Sequence, residues 1–117
     1  MNLEGPILID ELPDPIAFLP EAVRKMQRGG HLILDTRPSS QYGTGHIQGS
    51  VNIALAGQFS LWAGSLIKPD VPLLIVGEDS SSVREARTRL ARVGLERVTG
   101  YLEDGVLAWH EAGLPIE

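Results

Sequence analysis

Two short uninterrupted apolar runs stand out along the chain: Leu32-Ile33-Leu34, between Gly29-Gly30 and Pro38, and Leu73-Leu74-Ile75-Val76, between Pro72 and Gly77. Neither alternates with polar residues, which is the pattern of strands covered on both faces of a parallel sheet. They predict strands over 31–36 and 72–76. Elsewhere the apolar period lengthens to that of a helix. Pro20 sits where a first helical turn tolerates proline, Ala22, Val23 and Met26 follow at helical spacing, and Gly29-Gly30 ends the element. Phe59, Leu61, Trp62, Leu66 and Ile67 predict a helix over 58–67, stopped by Pro69; its Phe59 and Trp62 stripe is read as core, with an exposed docking patch over part of it as the alternative. Val83, Ala86, Leu90 and Val93 share one helical face, with Gly94 as the stop and Ser82 with Glu85 read as a capping box. Residues 97–101 predict a last strand, and Val106, Leu107 and Trp109 a closing helix. Ile7, Leu8 and Ile9, ahead of Pro13-Asp14-Pro15, read as a short edge strand. Strands alternating with helices define an α/β fold with a mostly parallel central sheet and helices on both faces.

Composition narrows the function classes. The 117 residues, 43% of them apolar, fit one domain over 1–117, with 1–18 as an N-terminal edge segment. Fifteen acidic against ten basic side chains give a net charge of −5, which argues against nucleic acid because phosphate binding draws on clustered Lys and Arg. No apolar run approaches the ~18 residues needed to cross a bilayer, so the expectation is no membrane partner and a cytoplasmic location. The three histidines, His31, His46 and His110, have no metal-ligand spacing, and neither a metal nor a cofactor is expected. The pattern sets no oligomeric state.

Asp35 and Arg37 fall where a parallel strand ends, the rim on which open α/β sheets place ligands. A strand-end Asp also caps amides, and an Arg two residues on also pairs with a carboxylate; the structural role is favoured. His46 in Gly45-His46-Ile47 is read as a hydrogen-bonded brace in a tight turn rather than a proton shuttle.

Taken together, residues 32–38, Tyr42, Gly45-His46-Ile47, Gly49 and Asn52-Ile53 resemble the signature of the rhodanese family of sulfurtransferases, and the resemblance covers roughly 19–117. It implies the rhodanese-like α/β fold and a later strand entering a short loop that begins with the catalytic Cys. A helix, a Gly-rich turn and a Trp-containing helix ending in Gly-Leu-Pro then follow. The family places a helix Leu thirteen and a Gly seventeen residues after that Cys; Leu90 and Gly94 both point back to Gly77. The chain has no cysteine, and Met1 and Met26 hold its only sulfurs.

The resemblance therefore marks Gly77 as a vestigial nucleophile position and Gly77, Glu78, Asp79, Ser80, Ser81, Ser82 and Val83 as a vestigial active-site loop, with Asp35, Arg37 and His46 on the family-motif rim. Sulfur transfer needs a thiolate to carry the persulfide, and no hydroxyl replaces it. Loop amides converging on a helix N-terminus cradle the anionic sulfur in the family, but here Glu78 and Asp79 stand at the mouth, and Ser82 stands where active relatives often carry Arg.

Residues 54–67 and Gly100-Tyr101-Leu102 with Gly105 look most like the rhodanese-like domains attached to metallo-β-lactamase-fold hydrolases of the persulfide-dioxygenase type. That implies a domain cut from a longer protein, or a free-standing relative of one. Such a domain is a catalytically inactive module docking on a protein or a covalently linked hydrolase domain in sulfur metabolism. Two other functions stay open: a sulfurtransferase half-site relying on a partner cysteine, and a hydrolase using Ser80, Ser81 or Ser82, for which no base at recognisable spacing is present.

Overall fold

The computed structural model describes residues 14–117. The strand expected at Ile7, Leu8 and Ile9 lies outside the described residues. In chain order the elements are β1 (Ala17–Phe18), α1 (Pro20–Arg28), β2 (Leu32–Asp35), α2 (Ser39–Thr44) and β3 (Val51–Asn52), followed by α3 (Phe59–Leu66), β4 (Leu73–Val76), α4 (Ser80–Arg92), β5 (Val98–Leu102) and α5 (Gly105–Glu111). The five strands form one sheet in the order β1-β5-β4-β2-β3, every pairing parallel.

Successive residues of the central strands point to opposite faces, which is why their apolar runs are unbroken. Leu34, Leu73 and Ile75 pack with Phe59 and Ala63 of α3 and with Val83, Ala86 and Leu90 of α4. Ile33, Leu74 and Val76 pack on the other face with Val23 of α1 and Trp109 of α5. Burial of these side chains, each contributing about 1.5–3 kcal/mol, is what fixes the strand register. Trp109 also donates its indole N–H to Pro115 O at 2.9 Å, so the largest core side chain anchors the C-terminal segment. That segment forms an antiparallel bridge between Ile116 and Ile47.

Three elements depart from the sequence expectation. α2, Ser39–Thr44, has no buried residue and no apolar period by which to be seen. β1 and β3 are two residues long and exist through their neighbours: Tyr101 N–H donates to Ile16 O and Glu103 N–H to Phe18 O, both at 2.9 Å. β1 comes this close because Gly100 has no side chain; a Cβ there would collide with Ile16 O and the Phe18 ring.

Two local readings are corrected. α4 begins at Ser80 with Asp79 as its N-cap, so Ser82 is the third helical residue and not the cap. The α3 stripe divides between the two readings: Phe59 and Ala63 are fully buried core, whereas Leu61, Trp62 and Leu66 are 61%, 54% and 64% exposed, so the favoured all-core reading is corrected there.

Candidate functional site

The strands run in one direction, so the segments that follow β2, β4 and β5 meet at one edge of the sheet. From β4 comes the loop Gly77-Glu78-Asp79, from β5 the turn Glu103-Asp104-Gly105. Between them opens a cleft of about 470 Å³ lined by Gly77, Glu78, Asp79, Ser80, Glu103 and Asp104, among others.

Gly77 is half-buried at the floor. A Cβ on it would stand 3.0 Å from Val83 Cγ2 and 3.4 Å from Thr36 Oγ1. Neither neighbour yields easily. Val83 is β-branched and 2% exposed, and the Thr36 hydroxyl is held by donation to Val76 O at 2.9 Å. The floor is shaped for hydrogen.

Asp79 is exposed and lines the cleft, but its carboxylate is engaged by the helix that follows. Its backbone is extended (φ −159°, ψ 176°), and its Oδ1 accepts the Ser82 amide at 2.7 Å. This is an N-cap: the carboxylate satisfies amides that a helix leaves unpaired and lies at the positive end of the dipole. Bonding from the Ser82 amide, then from its hydroxyl, with smaller help from the Ser81 amide and the Arg84 charge, holds the Asp79 carboxyl below the usual carboxylate range. The Ser82 amide, one of those that would cradle an external anion, is thus engaged by the chain itself. Glu78, exposed, accepts a hydrogen bond from Gln41 Nε2 at 2.8 Å.

Glu103 and Asp104 were not anticipated from the sequence. Asp104 adopts a left-handed backbone (φ 61°), the one such non-glycine residue among the described residues, and precedes Gly105 (φ 69°). The legible signal was Asp-Gly after a strand, the composition of a tight turn at the same edge as the β4 loop. The cleft lining contains these four carboxylate residues and no Lys or Arg, so its charge opposes anionic ligands.

The rim residues lie close by in the chain but serve the scaffold. Asp35 is fully buried at the end of β2 and is gripped by Arg37: Nε donates to both carboxylate oxygens at 3.0 and 3.1 Å, and Nη2 to Oδ2 at 2.8 Å. Arg37 Nη2 also donates to Gly45 O at 2.9 Å, and Asn52 Nδ2 donates to the carbonyls of Asp35 and Arg37. The pair ties β2, the α2–β3 loop and β3 together. His46 stacks on Tyr42 with ring centroids 3.8 Å apart, its Nδ1 lies 2.8 Å from Tyr42 O, and its Nε2 lies 3.5 Å from Glu117 Oε1. His31 bonds Thr99 Oγ1. Neither histidine is directed at Ser80, Ser81 or Ser82, which occupy the first turn of α4. Among the described residues no group of three or more His, Asp or Glu converges as a metal site would, and no helix is long and apolar enough to cross a membrane.

A five-stranded parallel sheet covered on both faces, with its site loop between β4 and α4, defines an α/β domain of rhodanese type. The sequence model of the rhodanese-like domain matches residues 19–112, and the chain belongs to that family. It is similar to an HTH-type transcriptional regulator of Mycobacterium tuberculosis, 30% identical over 105 residues that make up 90% of this chain and 46% of the regulator. The chain therefore spans less than half of that relative's length. The crystal structure of the Alr3790 protein from Anabaena sp. superimposes with a TM-score of 0.76 at 24% identity, over 86% of this chain and 81% of that one, and shows the same fold. A metallo-β-lactamase from Staphylococcus aureus is similar over 62% of this chain and 21% of its own, with a TM-score of 0.58 and 29% identity.

Proposed function

We propose that this chain is a non-catalytic rhodanese-like module, in which Gly77 stands at the family's nucleophile position and the domain docks on, positions or regulates a partner protein or a covalently linked hydrolase domain in sulfur metabolism. The observation that carries this reading is the pairing of two features at the site: no sulfur at Gly77, and a carboxylate, Asp79, seated on the first turn of α4 where it takes the Ser82 amide. A persulfide needs both a thiolate to carry it and free amides to hold its charge. The acidic lining of the cleft opposes thiosulfate as well.

Its place as part of a larger assembly draws support from the partial coverage of the relatives. The chain matches 46% of the Mycobacterium regulator and 21% of the Staphylococcus metallo-β-lactamase, so sequences of this kind occur within longer proteins. The likeness to the latter favours a hydrolase domain as the linked partner.

The test is thiocyanate formation from thiosulfate and cyanide, with a cysteine-containing rhodanese as positive control. No turnover above buffer is expected; turnover would end the non-catalytic reading. Adding low-molecular-weight thiols separates the half-site alternative, because restored transfer would favour it. The serine alternative predicts fluorophosphonate labelling at Ser80, Ser81 or Ser82, and none is expected.

A further inference from the structure

The exposed face of α3 is continuous with an apolar groove. One depression of about 410 Å³ is lined by Trp62, Leu66, Ile53, Ala54 and Ala56, with Asn52 and Gln58 as its polar members. A second, of about 420 Å³, shares Ala54 and Ala56 and ends at Glu78 and Glu85. The path thus starts on large exposed apolar side chains, crosses two alanines and finishes on carboxylates, with no Lys or Arg in the lining of either depression. Glu78 is shared with the acidic cleft beyond, so negative charge continues past the groove's end.

The groove wall is tied to the helix behind it. That wall is the 54–58 loop, which Arg89 of α4 fixes by donating to Leu55 O at 2.8 Å and Gly57 O at 3.1 Å while lying 5.4 Å over the Phe59 ring. Arg89 also draws Glu85 to within 3.6 Å, whereas Glu78 at this end has a Gln41 amide and no cation as its partner among the described residues. A surface on which a Trp and a Leu are more than half exposed beside such a wall is the kind that another chain covers.

Resting on the module reading above, we infer that this groove is the docking surface and that its occupant is a partner segment carrying a large apolar anchor followed by basic side chains. The anchor fills the depression beside Trp62 and Leu66, and a Lys or Arg of the same segment meets Glu78. Charge selects the occupant: a segment carrying acidic side chains at this end would set like charges against Glu78 and Glu85.

The probe is a pair of fluorescein-labelled peptides of about a dozen residues, each with a Leu-Leu-Trp anchor, one continued by Lys and Arg and the other by Glu, titrated against the full chain by anisotropy. The basic peptide is expected to bind at least about tenfold more tightly. Its binding should weaken as salt rises through the range where the Debye length falls from about 30 to about 3 Å. Trp62→Ala and Leu66→Ala, both at exposed positions, should each weaken it about tenfold with the near-ultraviolet signal of buried Trp109 unchanged, and Glu78→Gln should erase the preference for the basic peptide. Equal binding of the two peptides, or indifference to all three substitutions, overturns the inference, as does sedimentation showing that a second copy of the chain occupies the groove. Thiocyanate production with peptide discrimination intact would sink only the non-catalytic reading. Absence of both would sink only the docking surface.

Discussion

Val83 Cγ2 stands 3.0 Å from the point at which any side chain on Gly77 would begin. Inserting a methylene into a packed site costs about 1–3 kcal/mol when the neighbours cannot move. Gly77→Cys is expected to lower stability by that amount in urea denaturation and to produce no thiosulfate-dependent turnover. Because Val83 Cγ2 is the nearest neighbour, ahead of Thr36 Oγ1 at 3.4 Å, Gly77→Cys should cost less in a Val83→Ala background than in the native one. A double-mutant cycle with no coupling would show that the contact is relieved elsewhere.

Asp79 gives the structure a pH dependence of known sign. Its folded carboxyl binds protons less well than the ordinary value of 3.8, so the unfolded chain takes up more protons and stability rises with pH through that region. The contribution is complete above 3.8 and is lost as pH falls through the lower folded value. Asp79→Ala should lower the denaturation midpoint at neutral pH and flatten the acid limb, whereas an unchanged limb would show that the cap bond is not formed in solution. Asp79→Asn, which keeps an acceptor, should recover much of the neutral-pH stability.

The Asp35–Arg37 pair is buried, with Arg37 only 13% exposed and Asp35 not at all. Removing one partner leaves a buried charge alone, at a cost of about 3–5 kcal/mol. Arg37→Ala should therefore be severely destabilising by urea titration. A loss under about 1 kcal/mol would show that water reaches Asp35 and replaces the guanidinium.

The two tryptophans should report separately. Trp62, half exposed, should be quenched readily by acrylamide and shift little in stability when changed to Phe, within about 0.5 kcal/mol. Trp109, fully buried and hydrogen-bonded to Pro115 O, should resist quenching, and Trp109→Ala should cost about 3–5 kcal/mol. Equal quenching of both would contradict the packing of α5 on the sheet.

Gly100→Ala tests the edge of the sheet. Its Cβ would strike Ile16 O and the Phe18 ring, so β1 should detach, and amide exchange at Tyr101 and Glu103, whose N–H groups β1 accepts, should accelerate selectively. Exchange speeding equally across β2 and β4 would instead point to global destabilisation.

Which parts of this architecture the sequence revealed follows from how each part is stabilised. The central strands and α4 carry their reason for existing in their own apolar spacing, so Leu73–Val76 and the Val83, Ala86 and Leu90 face were readable. β1, β3 and α2 are held by partners distant in sequence, and no local period marks them. At the start of α4 two cap patterns overlap in the sequence. Ser82 and Glu85 offer one start, but Asp79 places a charged acceptor a turn earlier and lets three serines join the helix. α3 misled for another reason: apolar on nearly every side, it gives no sign of which side is covered, and the sheet selected Phe59 and Ala63 over Trp62 and Leu66. At the candidate site, the β4 loop was legible through its spacing, whereas Glu103 and Asp104 join it only because parallel strands bring their trailing turns to a common edge.

The engagement of the α4 amides by Asp79 also bears on how this domain can change over evolutionary time. Installing a thiol at residue 77 first meets Val83; trimming Val83 first opens a void; replacing Asp79 first strips a helix of its cap. Each of these substitutions made alone is expected to lower the stability of the fold, so residues 77, 79 and 83 constrain one another and a side chain at this floor calls for compensating changes at its neighbours.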